Sequence, residues 1–241
     1  MAPAGYGDRV EGLHAVAAAA ERGRVLRLFV ERGREARDEV ARIVRMVAAD
    51  TMTVVDDIEE VALTDGSQGV AADCRPIIPV GLDQLAGPSA AVMVLDHLED
   101  PHNVGAIARS ARAAGMTGLV MSSRRAAPLS AVAFKAAAGA LETLPVAMVA
   151  SVPEAQSRLR DLGLWLVGLA ADAEESLFGL SLLTEPVAVV IGAEGSGLSR
   201  LVAERCDLLV RIPMSPGMES LNASVSAALA AFEIMRARAD E

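Results

Sequence analysis

"AVMVLDHLEDPHNVGAIARSARAAGMTGLVMSS" occupies Ala91–Ser123, and its reading decides the fold. AVMVL is a continuous apolar run with no polar alternation, the pattern of a strand buried on both faces. NVGAIARSARAAG reads as a helix that stops at Gly115, a C-cap residue. GLVMSS is a second apolar strand. A buried strand, a crossover helix and another buried strand form the repeating unit of a parallel α/β sheet.

The same alternation continues outward from this unit. LSAVAFKAAAGAL (Leu129–Leu141) and VPEAQSRLRDLG (Val152–Gly163) read as helices. LPVAMVA, LWLVGLA, PVAVVIG and LLVRIP read as strands, and the chain closes on a helix from about Ser220. That final helix shows an apolar stripe at Leu221, Val225, Leu229 and Phe232, expected to face the core. Upstream, DCRPIIPVGLDQLAGPS (Asp73–Ser89) holds three prolines and two glycines and reads as a linker. Before it, a helix (EGLHAVAAAAERG), a strand (VLRLFVE), a helix (EARDEVARIVRMVAAD) and a strand (TMTVVD) make a small α/β unit. The expected domains are residues 1–75, a linker at 76–89, and a larger domain at 90–241.

Composition bounds the function. Hydrophobic residues are 52% of the 241 but aromatics only 2%, so the core must be mostly Ala, Val and Leu. The net charge of −10 argues against general nucleic-acid binding. Its distribution still admits one defined RNA target. From Pro101 to Leu141 there is no Asp or Glu, while Arg109, Arg112, Arg124, Arg125 and Lys135 lie there. Residues Arg22 to Arg45 are also Arg-rich, with interleaved acids. Cys74 and Cys206 fit no metal or redox spacing, so two free thiols are expected, with a disulfide as the alternative. His14, His97 and His102 have no partners at metal-ligand spacing, so no metal is expected. There is no signal-peptide pattern and no uncharged apolar stretch of ~18–20 residues. The expectation is a soluble cytoplasmic protein that does not enter membranes.

Three strand-end loops carry polar groups. In LDHLEDPHNVGAIAR, Asn103 stands where a helix N-cap belongs and Arg109 follows near the helix start, a placement that favours an anion. In VVIGAEGSGLSR, Gly192, Gly195 and Gly197 let a ligand approach the backbone. No Lys completes a P-loop there, and Arg200 stands where a dinucleotide fingerprint needs its third glycine. Glu194 inside that loop is a poor neighbour for phosphate and suits a ribose hydroxyl, an amine or a cation, or orients Arg109. In RIPMSPGMESLNAS, a stiff Pro/Gly loop leads into Glu219, Ser220 and Asn222, more polar groups than a helix cap needs.

Taken together and in this order, the three loops resemble the motifs of the SpoU/TrmH family of SPOUT-superfamily RNA ribose 2′-O-methyltransferases. They appear as Asn103-x-Gly105-x-x-x-Arg109, as Gly192-Ala-Glu194-Gly195-x-Gly197-Leu198-Ser199, and as Ile212-Pro213-Met214 followed by Ser220-Leu221-Asn222-x-Ser224. The resemblance runs from about Ala90 to the C-terminus. GLHAV (Gly12–Val16) and SQGVAA (Ser67–Ala72) look like the ribosomal-protein-like RNA-binding domain of the branch that methylates guanosine in 23S rRNA. Ser67 stands where that branch usually has His, and Ala223 where the family usually has Val.

The resemblance implies a C-terminal sheet with helices on both faces and a deep trefoil knot. It implies S-adenosylmethionine as cofactor, held around Gly168, Gly192, Gly197, Ile212, Met214 and Leu221. It implies that Asn103 holds the ribose or its phosphate, that Arg109 contacts the target hydroxyl, that Glu194 orients Arg109, and that Ser220 and Asn222 close the pocket. A guanidinium is a poor base, so Arg109 is expected to act as an electrostatic stabiliser. A homodimer is also implied, and the small residues Ala223, Ala227, Ala228, Ala230 and Ala231 of the last helix supply a surface for it. Methylation of a tRNA loop, an inactive RNA-binding module and a nicotinamide-dependent oxidoreductase are the alternatives. The last fits the α/β alternation but not the failed fingerprint.

Overall fold

A computed structural model describes residues 5–124, 126–218 and 220–239. The front unit contains β1 (Arg9–Glu11), α1 (Leu13–Glu21), β2 (Val25–Glu31), α2 (Asp38–Met46), β3 (Met52–Val55) and β4 (Val70–Cys74). Its sheet runs β1-β4-β2-β3, with β4 antiparallel to both neighbours and β3 parallel to β2. The short strands β1 and β4 were not legible as strands in the sequence.

The second unit contains β5 (Ala91–Leu95), α3 (Pro101–Ala113), β6 (Gly118–Ser122), α4 (Ala131–Ala137), β7 (Val146–Val149), α5 (Val152–Asp161), β8 (Trp165–Leu169), β9 (Glu175–Ser176), β10 (Val187–Ile191), α6 (Arg200–Glu204), β11 (Leu208–Arg211) and α7 (Ala223–Ala239). Its seven strands are all parallel, in the order β7-β6-β5-β10-β8-β11-β9. The continuous apolar runs are explained by burial on both sides. On β5, Ala91, Met93 and Leu95 join the core under α3, α4 and α7, while Val92 and Val94 join the core under α5 and α6. On β10 the same division separates Val187, Val189 and Ile191 from Ala188 and Val190. Side chains alternate along a strand, so both faces must be apolar.

Close helix packing depends on one glycine. A Cβ at Gly105 on α3 would stand 2.3 Å from the Ala133 carbonyl oxygen on α4. The motif glycine is therefore needed where two backbones meet. Helix α4 is shorter than its apolar pattern implies, because Ala138 (φ 48°) and Gly139 (φ 91°) turn left-handed after Ala137.

Three expectations need correction. Asn103 is not a helix cap: Asp100 caps α3 by accepting from the His102 N–H at 2.9 Å, and Asn103 lies buried inside the first turn. The segment at 76–89 is packed rather than free. Ile77 pairs with Tyr6, Val80 N–H donates to the Val146 carbonyl, and Leu85 is buried. Half of the expected apolar stripe of the last helix points outward: Val225 and Phe232 are 46% and 44% exposed, beside Met235 at 43%, whereas Leu229 is half-buried, Leu221 precedes α7 at the cavity wall, and Ala223, Ala227, Ala230, Ala231 and Ile234 face the core. Helix α7 packs tightly on α3, so its small residues are used inside the chain.

The two units share one core. A single buried cluster runs from Val10, Val16, Leu28 and Val70 of the front unit to Met93, Ile107 and Phe134 of the second. Arg24 of the front unit meets Glu142, whose side chain is fully buried; Arg24 Nε donates to Glu142 Oε2 at 2.7 Å. The same guanidinium lies 6.0 Å over the Phe134 ring and donates to the carbonyls of Gly7 and Arg75.

Candidate functional site

Parallel α/β sheets leave their ligand crevice at the carboxyl ends of strands, where the strand order reverses. Here β10 lies between β5 and β8, and a cavity of about 500 Å³ opens at the ends of β8, β10 and β11. Its walls are Leu169–Asp172, the loop Ile191–Leu198, the β11 exit through Ile212 and Met214, and the entry to α7 at Ser220 and Leu221. Gly192 is required by the fold of the loop: a Cβ there would stand 2.1 Å from the Gly197 carbonyl carbon. Ala193 and Gly197 exchange two backbone hydrogen bonds, at 3.0 and 2.9 Å, which fix the tight turn.

A second cavity of about 410 Å³ adjoins it, lined by His97–Asp100, Asn103, Ala193, Glu194 and Ser196. Ala193, Glu194 and Ser196 belong to both walls. At this shared wall Glu194 Oε1 accepts from Asn103 Nδ2 at 2.5 Å and from Asn222 Nδ2 at 2.6 Å. Asn103 Nδ2 also reaches Asp100 Oδ2 at 3.2 Å, and Asn222 Nδ2 reaches Asn103 Oδ1 at 3.2 Å. Two amides 119 residues apart in sequence are thus oriented by one carboxylate. Behind them Asp96, 1% exposed, accepts from the Ser199 N–H at 2.8 Å and pairs with His97 Nδ1 at 2.6 Å. That bond ties the glycine loop to the end of β5.

The structure therefore brings Asn103, Glu194, Ser220 and Asn222 together, with Gly192, Gly197, Ile212, Met214 and Leu221 around the larger cavity. Two expectations differ. Glu194 does not orient Arg109. The guanidinium is exposed on α3, has no hydrogen bond or ion pair among the described residues, and lines neither cavity. Six helical residues turn it about 240° from Asn103, onto another face. Gly168 does not line the larger cavity either. It is buried within β8, where a Cβ would meet Leu209, Cys206 and Leu198 within 3 Å. The lining begins one residue later, at Leu169, and includes Asp172, a carboxylate that sequence reading missed. Its signal was its place just past the carboxyl end of a buried strand. Glu219 lies outside the described residues.

No group of three or more His, Cys, Asp or Glu among the described residues is arranged to hold a metal. Cys74 and Cys206 are both free, so the disulfide alternative is removed. Burial pushes the Cys206 thiol up to about 12, reinforced by neighbouring Asp207. No helix among the described residues is long and apolar enough to cross a membrane.

The comparisons with known proteins agree with this geometry. The model of the SpoU rRNA Methylase family matches residues 90–232. The chain is 41% identical over 209 residues to the 23S rRNA (guanosine-2′-O-)-methyltransferase RlmB of Nitrosomonas europaea, covering 83% of this chain and 80% of that one. It is 36% identical to the protein of the same name from Yersinia pestis, covering 95% and 97%. The crystal structure of the SpoU methyltransferase AviRb from Streptomyces viridochromogenes, in complex with AdoMet, superposes with a TM-score of 0.82 at 26% identity, covering 97% and 91%. With more than half its length matched by the family model and near-full-length relatives above 30% identity, the chain belongs to the SpoU rRNA methylase family.

Proposed function

We propose that the chain transfers a methyl group to a ribose 2′-hydroxyl of 23S rRNA, with S-adenosylmethionine as donor. The observation that carries this is the network of Asn103, Glu194 and Asn222 at the wall common to two cavities. One cavity suits the cofactor and the other the acceptor nucleotide. The relatives' names and the AdoMet complex of the AviRb structure support the same reaction.

The larger cavity fits S-adenosylmethionine on its own chemistry. Its lining carries two carboxylates, Asp172 and Glu194, and no Lys or Arg among the described residues. That suits a ligand with a sulfonium and an ammonium and no phosphate, and the glycine turn lets an adenosine approach the backbone. When bound, the cofactor supplies an electrophilic methyl group. The chain's task is then positioning and charge. Asn103 and Asn222, locked by Glu194, hold the ribose at the shared wall. Ser220 closes the mouth of the cavity. The 2′-hydroxyl proton passes to the nucleotide's own phosphate or to water, and Arg109, exposed on another face of α3 and outside both cavities, adds positive charge for RNA that runs past the site rather than accepting the proton.

The finer architecture belongs to the same reading. β10 and β11 are inserted beside strands laid down earlier, which supports a threaded, trefoil-knotted C-terminal segment. The front unit, with Arg22, Arg27, Arg37 and Arg45 exposed, serves as the RNA-capturing domain of a cytoplasmic enzyme. The chain forms a homodimer through the outward face of α7. Val225, Phe232 and Met235 are exposed there, and Phe178 (45% exposed) lies beside them, because the Gly179 N–H donates to Glu233 at 2.8 Å.

The test is methylation of 23S rRNA fragments with labelled S-adenosylmethionine, followed by mapping. The expected product resists alkaline cleavage at one nucleotide, and Asn103→Ala or Glu194→Ala lowers turnover by at least ~100-fold. Product on tRNA alone would replace the rRNA reading, and no product on any RNA would reject the reaction.

A further inference from the structure

The smaller cavity also has the chemistry to choose a base, an inference that rests on the proposed methyl transfer. Its ionisable lining is engaged at every residue but one, and the exposed Ser196 hydroxyl makes no hydrogen bond among the described residues. Asp100 caps α3 through one oxygen and holds Asn103 with the other. Glu194 holds Asn103 and Asn222. His97 is fixed by Asp96 and adopts a left-handed backbone, φ 57°. Glu99 differs: it lines the cavity, is exposed, and neither of its oxygens has a hydrogen bond or ion pair among the described residues.

The shared wall fixes the order of groups in this cavity. A ribose accepting a methyl from the larger cavity must lie against Glu194 and Asn103. The base attached to that ribose then extends along the remaining wall, His97–Asp100. A phosphate is refused there by Glu99, Asp100 and Glu194. A volume of about 410 Å³ accommodates an extruded nucleoside. A carboxylate only accepts hydrogen bonds when ionised. Guanine alone among the four RNA bases presents two adjacent donors, N1–H and the N2 amine, to a two-oxygen acceptor. Adenine and cytosine offer an amine beside a ring nitrogen lone pair, which a carboxylate repels, and uracil offers a single N–H between two carbonyls.

We propose that Glu99 is a specificity-determining residue that reads the Watson–Crick edge of an extruded target guanine by accepting from N1–H and the N2 amine. Base choice is then set on the β5–α3 connection, separately from the Asn103–Glu194–Asn222 network that holds the ribose. A site built to pair with a donor discriminates strongly against an analogue that lacks it.

The experiment uses the full chain and a synthetic 23S rRNA fragment carrying either guanosine or inosine at the mapped nucleotide. Inosine lacks only the N2 amine. Wild type is expected to favour guanosine by ~10-fold or more in kcat/KM. Glu99→Ala is expected to lower kcat/KM on guanosine until the ratio approaches one, with S-adenosylhomocysteine affinity unchanged as a check on folding. Glu99→Gln, which offers one acceptor and one donor, is expected to give an intermediate ratio. Equal rates on both RNAs by wild type, or full discrimination retained by both variants, would overturn the assignment. Failure of wild type to methylate the guanosine fragment would overturn the methyl transfer first, and the base assignment with it.

Discussion

Asn222 works twice, and its two tasks can be separated. Its Oδ1 accepts from the Ser224 N–H at 2.8 Å and caps α7, while its Nδ2 donates to Glu194 at 2.6 Å. Asn222→Ala should cost about 1 kcal/mol of stability through the lost cap. Asn222→Ser restores a cap and should recover most of that stability, yet both variants should lose methylation, because neither can donate an amide to Glu194. Chemical denaturation beside turnover checks this; activity restored with the cap would mean that Asn222 is structural only. A second residue-scale prediction concerns the thiols. Burial pushes the Cys74 thiol up to about 12, as it does that of Cys206. Neither should react with a disulfide reagent at pH 8 until the chain unfolds, and thiol titration with and without denaturant measures it. At this scale the polar members of the site were legible only as a set, because each loop alone was ambiguous and it was Asn103, Glu194 and Asn222 in three successive loops after strands that carried the resemblance. Orientation was not legible: spacing placed Arg109 near the helix start, but its azimuth on α3 turns it away from Glu194. Likewise Gly168 belongs to a pocket-forming strand yet faces packing, and only coordinates show the lining beginning at Leu169.

The elements show how periodicity can be read correctly and assigned to the wrong side. The stripe Val225, Leu229, Phe232 exists on α7, but the face that the helix buries against α3 and the core is mostly alanine, joined by Ile234. Val225 and Phe232 are left outside, which a one-dimensional pattern cannot distinguish from a buried face. Replacing Phe232 with Glu should therefore leave the fold intact and shift a dimer toward monomer, measured by sedimentation; a monomeric wild type would remove the dimer. The contact between α3 and α4 gives a sharper energetic prediction. Gly→Ala inside a helix ordinarily gains about 1 kcal/mol of propensity. At Gly105 the added methyl would stand 2.3 Å from the Ala133 carbonyl oxygen, and overpacking of this kind costs about 1–3 kcal/mol. Because backbone rather than a flexible side chain must yield, the clash should win, and Gly105→Ala should lower the melting temperature. A rise would show that α3 and α4 can separate without cost.

For the whole molecule, the proline- and glycine-rich stretch suggested two bodies on a tether, whereas the buried contacts tie the front unit to the sheet behind it. A linker was legible as composition. Its packing was not, because the contacts that seat it come from Tyr6 and Val146, far away in sequence. The decisive contact is Arg24 with Glu142. Removing one partner of a buried ion pair leaves an uncompensated charge and costs about 3–5 kcal/mol. Such a loss is a large fraction of a domain's total stability, typically about 5–15 kcal/mol. Arg24→Ala should therefore destabilise both units together, in one cooperative transition at a lower temperature. Cutting the chain near Leu82 should do more, since it also bares Phe134 and the apolar face of α4 that β1 and α1 cover. The truncated protein should aggregate or melt early, rather than persist as a free catalytic domain. Replacing Glu142 by Gln in the Arg24→Ala background removes the stranded charge and should recover part of the lost stability. Calorimetry of the single and double variants measures that recovery. Two separate transitions in the wild type, or a stable fragment from Leu82 onward, would show that the front unit is a detachable module after all.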